Sequence, residues 1–335
     1  MDLGSTVSVI GRKSTDKMRA FGLLCGLVGI AFPLSAFEND ASIRLNHLQM
    51  KGTHNSYHQA FPLLSWSSLG YSHAPLKEQL HNQGVRQLEL DLHQCRGDDF
   101  CVYHISVFDS GTSCDTLRSC LGEVKDWSKY ERTHHPIFVF LELKDSPKLT
   151  QKWSFFQNLE HQILSVFNRD DLLIPDDIRG SSFTLKQAIQ TKGWPKIDDV
   201  RGKVVFVLLD EGAHRDNYTF DAPALQKRLM FTTSGPDRED AAIMKLDDPI
   251  ASKEQITQLV KAGFIVRTRA DADLDEPSSG DYSRLEAALT AGAHIISTDV
   301  PIKTSSYEYW VELKGGLPSR CNPLSSGPSC RSQDL

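Results

Sequence analysis

Apolar residues along this chain gather into short, nearly continuous runs separated by segments that can form helices. The runs are His47–Lys51, Val85–Leu92, Phe100–Ile105, Ile137–Lys144, Lys203–Asp210, Ala241–Leu246, Phe264–Ala270 and His294–Thr298. Stretches such as IFVFLEL and KVVFVLL have no polar alternation, as parallel strands buried on both faces require. Between them, Pro75–Gln83, Ser154–Phe167, Thr184–Gln190, Ala222–Met230, Lys253–Ala262 and Tyr282–Ala291 are suited to crossover helices. Strands alternating with helices predict an α/β fold, and eight of them predict a closed (β/α)8 barrel of the TIM type. The link between the second and third runs is too short for a full helix. The barrel is therefore expected to be irregular there, with a Cys95–Cys101 loop joining the two.

Composition fits one large core. The chain has 335 residues, 40% of them hydrophobic and 24% charged, and barrels of this class reach that length as a single unit. At the N-terminus, Arg12, Lys13, Lys17 and Arg19 precede an apolar run from Ala20 to Leu34, and Ser35-Ala36 follows. A basic segment, a short apolar segment and a small-residue boundary predict a cleaved signal peptide over 1–36, the apolar run being shorter than the roughly 20 residues of a membrane span. That leaves 37–335 as one catalytic barrel domain, with a Gly/Ser/Pro-rich tail wrapping it from about residue 305.

Without the leader six cysteines remain, in three close-spaced pairs. Nearest-neighbour disulfides (95–101, 114–120, 321–330) are expected, although six cysteines allow fifteen connectivities; no spacing is the CxxC of a zinc site. This points to a secreted or periplasmic protein. The net charge is −6, and removing four basic and two acidic leader residues takes it to −8. An acidic protein of this kind is not a nucleic-acid binder, and it lacks a polybasic surface for anionic lipid, so any membrane contact must be local. No oligomer is implied.

Ionisable residues collect where the strands end, which is where barrels of this class carry their chemistry. The first strand runs into Gly52-Thr53-His54-Asn55-Ser56-Tyr57. The second carries Glu89 and Asp91 on one face, because side chains alternate along a strand. The third ends in Tyr103-His104, the fourth in Glu142-Leu143-Lys144-Asp145 and the fifth in Asp210-Glu211. The seventh contains Arg267 and Arg269, and the eighth ends at Asp299. Each alone reads as an ordinary structural residue. Together they would place many charges in one mouth, which is costly unless a metal or a charged substrate balances them. Carboxylates and an amide are hard oxygen donors suited to Ca²⁺ or Mg²⁺. Asn55, Glu89, Asp91 and Glu142 would supply such a cage. Two histidines could then exchange protons across a phosphodiester displacement, with Lys144 and the arginines on the phosphate.

The series G-T-H-N-S-Y, L-E-L-D, V-Y-H and F-L-E-L-K-D resembles the catalytic barrel of phosphoinositide-specific phospholipase C. V-R-T-R-A-D and I-I-S-T-D-V-P are similar to its secreted, calcium-dependent bacterial branch. The resemblance spans nearly the whole chain after the leader. It implies His54 and His104 as the catalytic pair and Asn55, Glu89, Asp91 and Glu142 as Ca²⁺ ligands, with Lys144, Arg267 and Arg269 as candidates for substrate contact. The implied reaction is attack of the inositol 2-hydroxyl on the 1-phosphate, releasing diacylglycerol and an inositol cyclic phosphate. The chain has no room for pleckstrin, EF-hand or C2 modules.

Two further readings stand beside this one. A glycerophosphodiester phosphodiesterase uses a similar barrel, two histidines and a Glu-x-Asp pair. Its first strand ends in His-Arg-Gly, however, where this chain has His54-Asn55-Ser56. An inactive secreted binding barrel would have lost a histidine or carboxylate, and none of those positions is missing. Finally, Phe61 to Tyr71, in the loop after the first strand, holds apolar and aromatic residues. Trp66 and Tyr71 would favour a lipid interface there, the alternative being that this loop packs over the barrel.

Overall fold

The computed structural model describes residues 42–61 and 68–335. The expected signal peptide lies outside these residues. Eight parallel strands form the barrel: β1 (Leu48–Thr53), β2 (Gln87–Gln94), β4 (Ile137–Leu143), β5 (Val204–Leu208), β6 (Phe231–Thr232), β7 (Ile243–Lys245), β8 (Ile265–Arg269) and β9 (Ile295–Thr298). Their order is β6-β5-β4-β2-β1-β9-β8-β7, and a parallel bridge between Thr233 and Ile243 joins the two ends. The (β/α)8 expectation is borne out. The uninterrupted apolar runs are the best-paired strands: β2 and β4 run in register from Gln87–Phe138 to Leu92–Leu143, and β4 and β5 from Ile137–Val204 to Leu141–Leu208.

Two elements differ from the sequence reading. Phe100–Ile105 does not supply a barrel strand. Its first part, β3 (Phe100–Val102), turns back antiparallel on β2, with Leu92 opposite Val102 and Gln94 opposite Phe100. A short link can close a hairpin but cannot carry a parallel crossover. The barrel position so vacated is filled by β6, two residues long. Ala222–Met230, expected as a helix, is a series of turns; the crossover helix lies earlier, at Ala213–Thr219. Pro223 lacks a backbone donor, and Leu225 and Lys227 both take the left-handed conformation (φ 59°), which no helix interior accommodates.

Cys95–Cys101, Cys114–Cys120 and Cys321–Cys330 form the three disulfides. The last lies in the tail, where β10 (Ser319–Cys321) pairs antiparallel with β1, Leu48 facing Cys321 and Met50 facing Ser319. β2 reaches β1 only at Gly52, so β10 satisfies the edge that β2 leaves open. No helix among the described residues is long and apolar enough to cross a membrane.

Candidate active site

The parallel register brings the charged strand ends to one rim. Asp91 and Glu142 are direct neighbours across β2 and β4, so their side chains share a face. β1 stops at Thr53, and the chain turns sharply at Asn55, whose φ of 43° is left-handed, a conformation asparagine tolerates better than most residues. Ser56 then rejoins the sheet: its N–H donates to the Glu89 carbonyl at 2.9 Å, and its Oγ accepts from the Glu89 N–H at 2.8 Å. His54 and Asn55 are thereby fixed beside Glu89.

His54 stands between two carboxylates. Its Nδ1 lies 2.8 Å from Asp299 Oδ1, with the Tyr71 hydroxyl at 3.4 Å, and its Nε2 lies 3.7 Å from Glu89 Oε1. Burial alone would lower the pKa of the imidazole, but Asp299 and Glu89 together raise it above the ordinary histidine value. Asp299 also accepts from Arg269 at 3.0 Å. Although its burial opposes ionisation, His54 and Arg269 hold its carboxyl down at about 2. His104 is built differently. Its Nδ1 lies 2.7 Å from Asp109 Oδ2, and its pKa falls because burial outweighs that contact.

One oxygen each of Glu89, Asp91 and Glu142 lies within 4.8 Å of the others. Lys144 Nζ reaches into this group, 2.8 Å from Glu142 Oε1 and 3.0 Å from Asp91 Oδ2. Burial, then the neighbouring Glu142 charge, push the Asp91 carboxyl up to about 7 against the pull of Lys144. Burial also pushes on Glu142, but Lys144 more than offsets it, and its pKa falls. Asp210, accepting from the Leu143 N–H at 2.9 Å, is likewise pushed up to about 7 by burial. The Asn55 Oδ1 and Asp91 Oδ1 atoms are buried with no hydrogen-bond partner among the described residues. Orphaned oxygens beside three clustered carboxylates are what a hard divalent cation would satisfy, so these residues fit calcium.

The two arginines differ. Arg267 is 2% exposed, donates to Glu89 Oε2 at 2.6 Å and also pairs with Asp247. It is thereby tied to the carboxylate cluster through Glu89. Arg269 pairs with Asp299, whose other oxygen faces His54, and the buried Nε of each arginine has no partner among the described residues.

The sequence reading gave no role to Asp109 or Asp299, which contact the two histidines. It noted Asp299 as a strand end, and that position was the available signal. Asp109 lies in an irregular loop and carried none. Tyr71 corrects an expectation: it is buried against His54, with its ring tilted against the His58 ring at 4.5 Å between centroids, so it cannot meet a lipid surface. Trp66 lies outside the described residues.

A parallel barrel whose rim carries two carboxylate-backed histidines, three clustered acids and a lysine defines the class of barrel phosphodiesterases. The particular family follows from sequence. The family model for Ca²⁺-dependent phosphoinositide phospholipase C matches residues 43–98 and 93–323, and this chain belongs to that family. It is accordingly an enzyme. Solved structures agree on the fold. The calcium-dependent phosphoinositol-specific phospholipase C of a Gram-negative Pseudomonas species, in a myoinositol complex, is 19% identical with a TM-score of 0.62, over 84% of this chain and 96% of that one. The Ca²⁺-dependent enzyme of Streptomyces antibioticus is 16% identical with a TM-score of 0.58, over 77% and 95%. L. pealei PLC21 aligns over 87% of this chain but 39% of its own, with a TM-score of 0.53 and 14% identity. No curated protein matches by sequence.

Proposed function

We propose that this enzyme cleaves phosphatidylinositol-type lipids at the glycerol–phosphate bond, giving diacylglycerol and inositol phosphate through a cyclic ester. The observation that carries this reading is His54 beside Glu89 of the Glu89–Asp91–Glu142 cluster, with the orphaned Asn55 Oδ1 next to it and His104 within electrostatic reach of His54 and Lys144. Asn55, Glu89, Asp91 and Glu142 would hold Ca²⁺, which when bound would polarise the phosphate and favour ionisation of the attacking 2-hydroxyl. The histidines accept and donate the protons of the displacement, Asp299 and Asp109 fixing their rings. Lys144 and Arg269 bind phosphate charge, and Arg267 acts through Glu89. The three disulfides support export to an oxidising compartment. The test is release of inositol phosphate from phosphatidylinositol vesicles with calcium and then with a chelator. Calcium-dependent release supports the reading. Hydrolysis of glycerophosphoinositol with no release from vesicles would move the substrate to soluble diesters.

A second loop at the rim adds to the membrane contact expected of the loop from Phe61 to Tyr71, of which residues 62–67 lie outside the described residues. Directly after His104, a tight hairpin closed by reciprocal hydrogen bonds between Ile105 and Asp109 holds Val107 and Phe108 out, 81% and 76% exposed. Val107 is left-handed (φ 71°), a strained state for a β-branched residue. Two exposed apolar side chains beside the catalytic rim suit insertion into a lipid surface. Burying each contributes about 1.5–3 kcal/mol. Replacing Val107 with Asn and Phe108 with Ser is expected to cut turnover of vesicles by about tenfold or more, while turnover of a monomeric short-chain substrate holds. Equal losses on both substrates would remove this loop from the membrane.

A further inference from the structure

We infer that His58 is a positioning residue for the reaction: from behind the active site it holds and neutralises the Asp109 carboxylate, and through it sets the tautomer and orientation of His104. The inference builds on the catalytic reading of His104. His58 and Asp109 are both fully buried. The loop after β1 and the loop after His104 are laced together there, Ser113 N–H donating to the Tyr57 carbonyl at 2.8 Å and Gln59 N–H to the Gly111 carbonyl at 3.1 Å. The approach is close enough that a Cβ on Gly111 would stand 1.9 Å from the Gln59 carbonyl oxygen. This lacing sets His58 against Asp109.

The hydrogen-bond inventory then fixes the protons. Nδ1 of His58 is 2.8 Å from the Tyr71 carbonyl oxygen, which can only accept, so Nδ1 carries a hydrogen. Nε2 is 2.8 Å from Asp109 Oδ1, and that contact also requires a proton. The buried pair therefore holds one proton more than a neutral imidazole facing a carboxylate would, and Asp109 faces His104 with its charge balanced. Its other oxygen, 2.7 Å from His104 Nδ1, accepts that N–H. His104 is thus held as the tautomer protonated at Nδ1, with Nε2 free to exchange the reaction's proton.

Lys144, the other cation facing His104, is already paired with Glu142 and Asp91, so the charge of Asp109 is balanced from His58. The groups facing His104 are Asp109 on its own loop, His54 and His58 from the loop after β1, Lys144 after β4, and His93 of β2, whose Nε2 lies 3.3 Å from the His104 carbonyl. Only Asp109 is anionic among these. Removing the His58 charge leaves that anion unbalanced beside His104, which favours the imidazolium.

The test is His58→Gln in the full-length calcium-loaded enzyme, since glutamine can still donate to Asp109 but carries no charge. The His104 ring resonance, assigned by its loss in His104→Ala, is expected to titrate about one pH unit higher than in wild type. The limb of the kcat pH profile that belongs to His104 should move the same way with KM little changed. An unmoved His104 titration in a folded variant overturns the inference. Should His58→Gln not fold, long-range proton–nitrogen correlation on the wild-type enzyme decides: both His58 ring nitrogens protonated while His104 titrates is expected, and a bare His58 nitrogen refutes it. These resonances are independent of turnover. Full activity of His104→Ala would remove the catalytic reading of His104 and leave the His58 result standing on its own.

Discussion

Alanine at His54 or at His104 is expected to lower turnover of phosphatidylinositol by about two to four orders of magnitude, the range in which a positioned general acid or base contributes. Each imidazole is backed at Nδ1 by a buried carboxylate, Asp299 for His54 and Asp109 for His104. Each is also about one-fifth exposed, so the opposite edge of the ring can meet substrate. The loss should appear in kcat, because neither ring is needed to hold the calcium oxygens. Calorimetric calcium binding and the melting temperature of each variant provide that control. Two groups acting on one displacement are not additive, so the double variant should be little slower than the worse single one. A variant with wild-type kcat would take its histidine out of the reaction.

What the sequence made legible follows from how far each signal reaches along the chain. Strands buried on both faces, β4 and β5 above all, appear as unbroken apolar runs because both faces need apolar side chains. Two-residue β6 has no room for a pattern and went unread; β3 was read as a barrel strand because a hairpin arm and a short barrel strand have the same apolar content. Ala222–Met230 looked helical because apolar spacing outweighed Pro223, and the left-handed Leu225 and Lys227 have no signature in side-chain type. In the active site, Glu89, Asp91 and Glu142 were legible since period-two alternation and adjacent motifs placed them on one face. Asp109 was not, because its partnership with His104 and His58 depends on two irregular loops meeting. Arg267 was visible as a charge at a strand end, but whether it faced substrate or a carboxylate depended on Asp247, twenty residues away on another strand's exit.

Calcium is expected to raise the melting temperature more at pH 8 than at pH 5.5, with its affinity weakening as pH falls below about 7. The origin is Asp91, whose carboxyl is pushed up to about 7 by burial beside Glu142. A folded-state pKa above the unfolded value means that the cation-free native state binds the proton more tightly. Its stability is therefore greatest in acid and is lost as pH rises through the folded value of about 7. Asp210, also near 7, adds to the same trend. A divalent cation reverses the penalty by pairing with the ionised form. Below pH 7 it must first expel the Asp91 proton, which weakens binding by about tenfold per pH unit, whereas above pH 7 affinity levels off. Calorimetry in two buffers of different ionisation heat should show close to one proton released per calcium bound at pH 6 and fewer at pH 8. Asp91→Asn should melt higher than wild type in alkaline, calcium-free buffer and lose most of its response to calcium. A calcium-induced shift of the same size at both pH values, with no proton released, would detach Asp91 from the cation and leave Glu89 and Glu142 to hold it with Asn55.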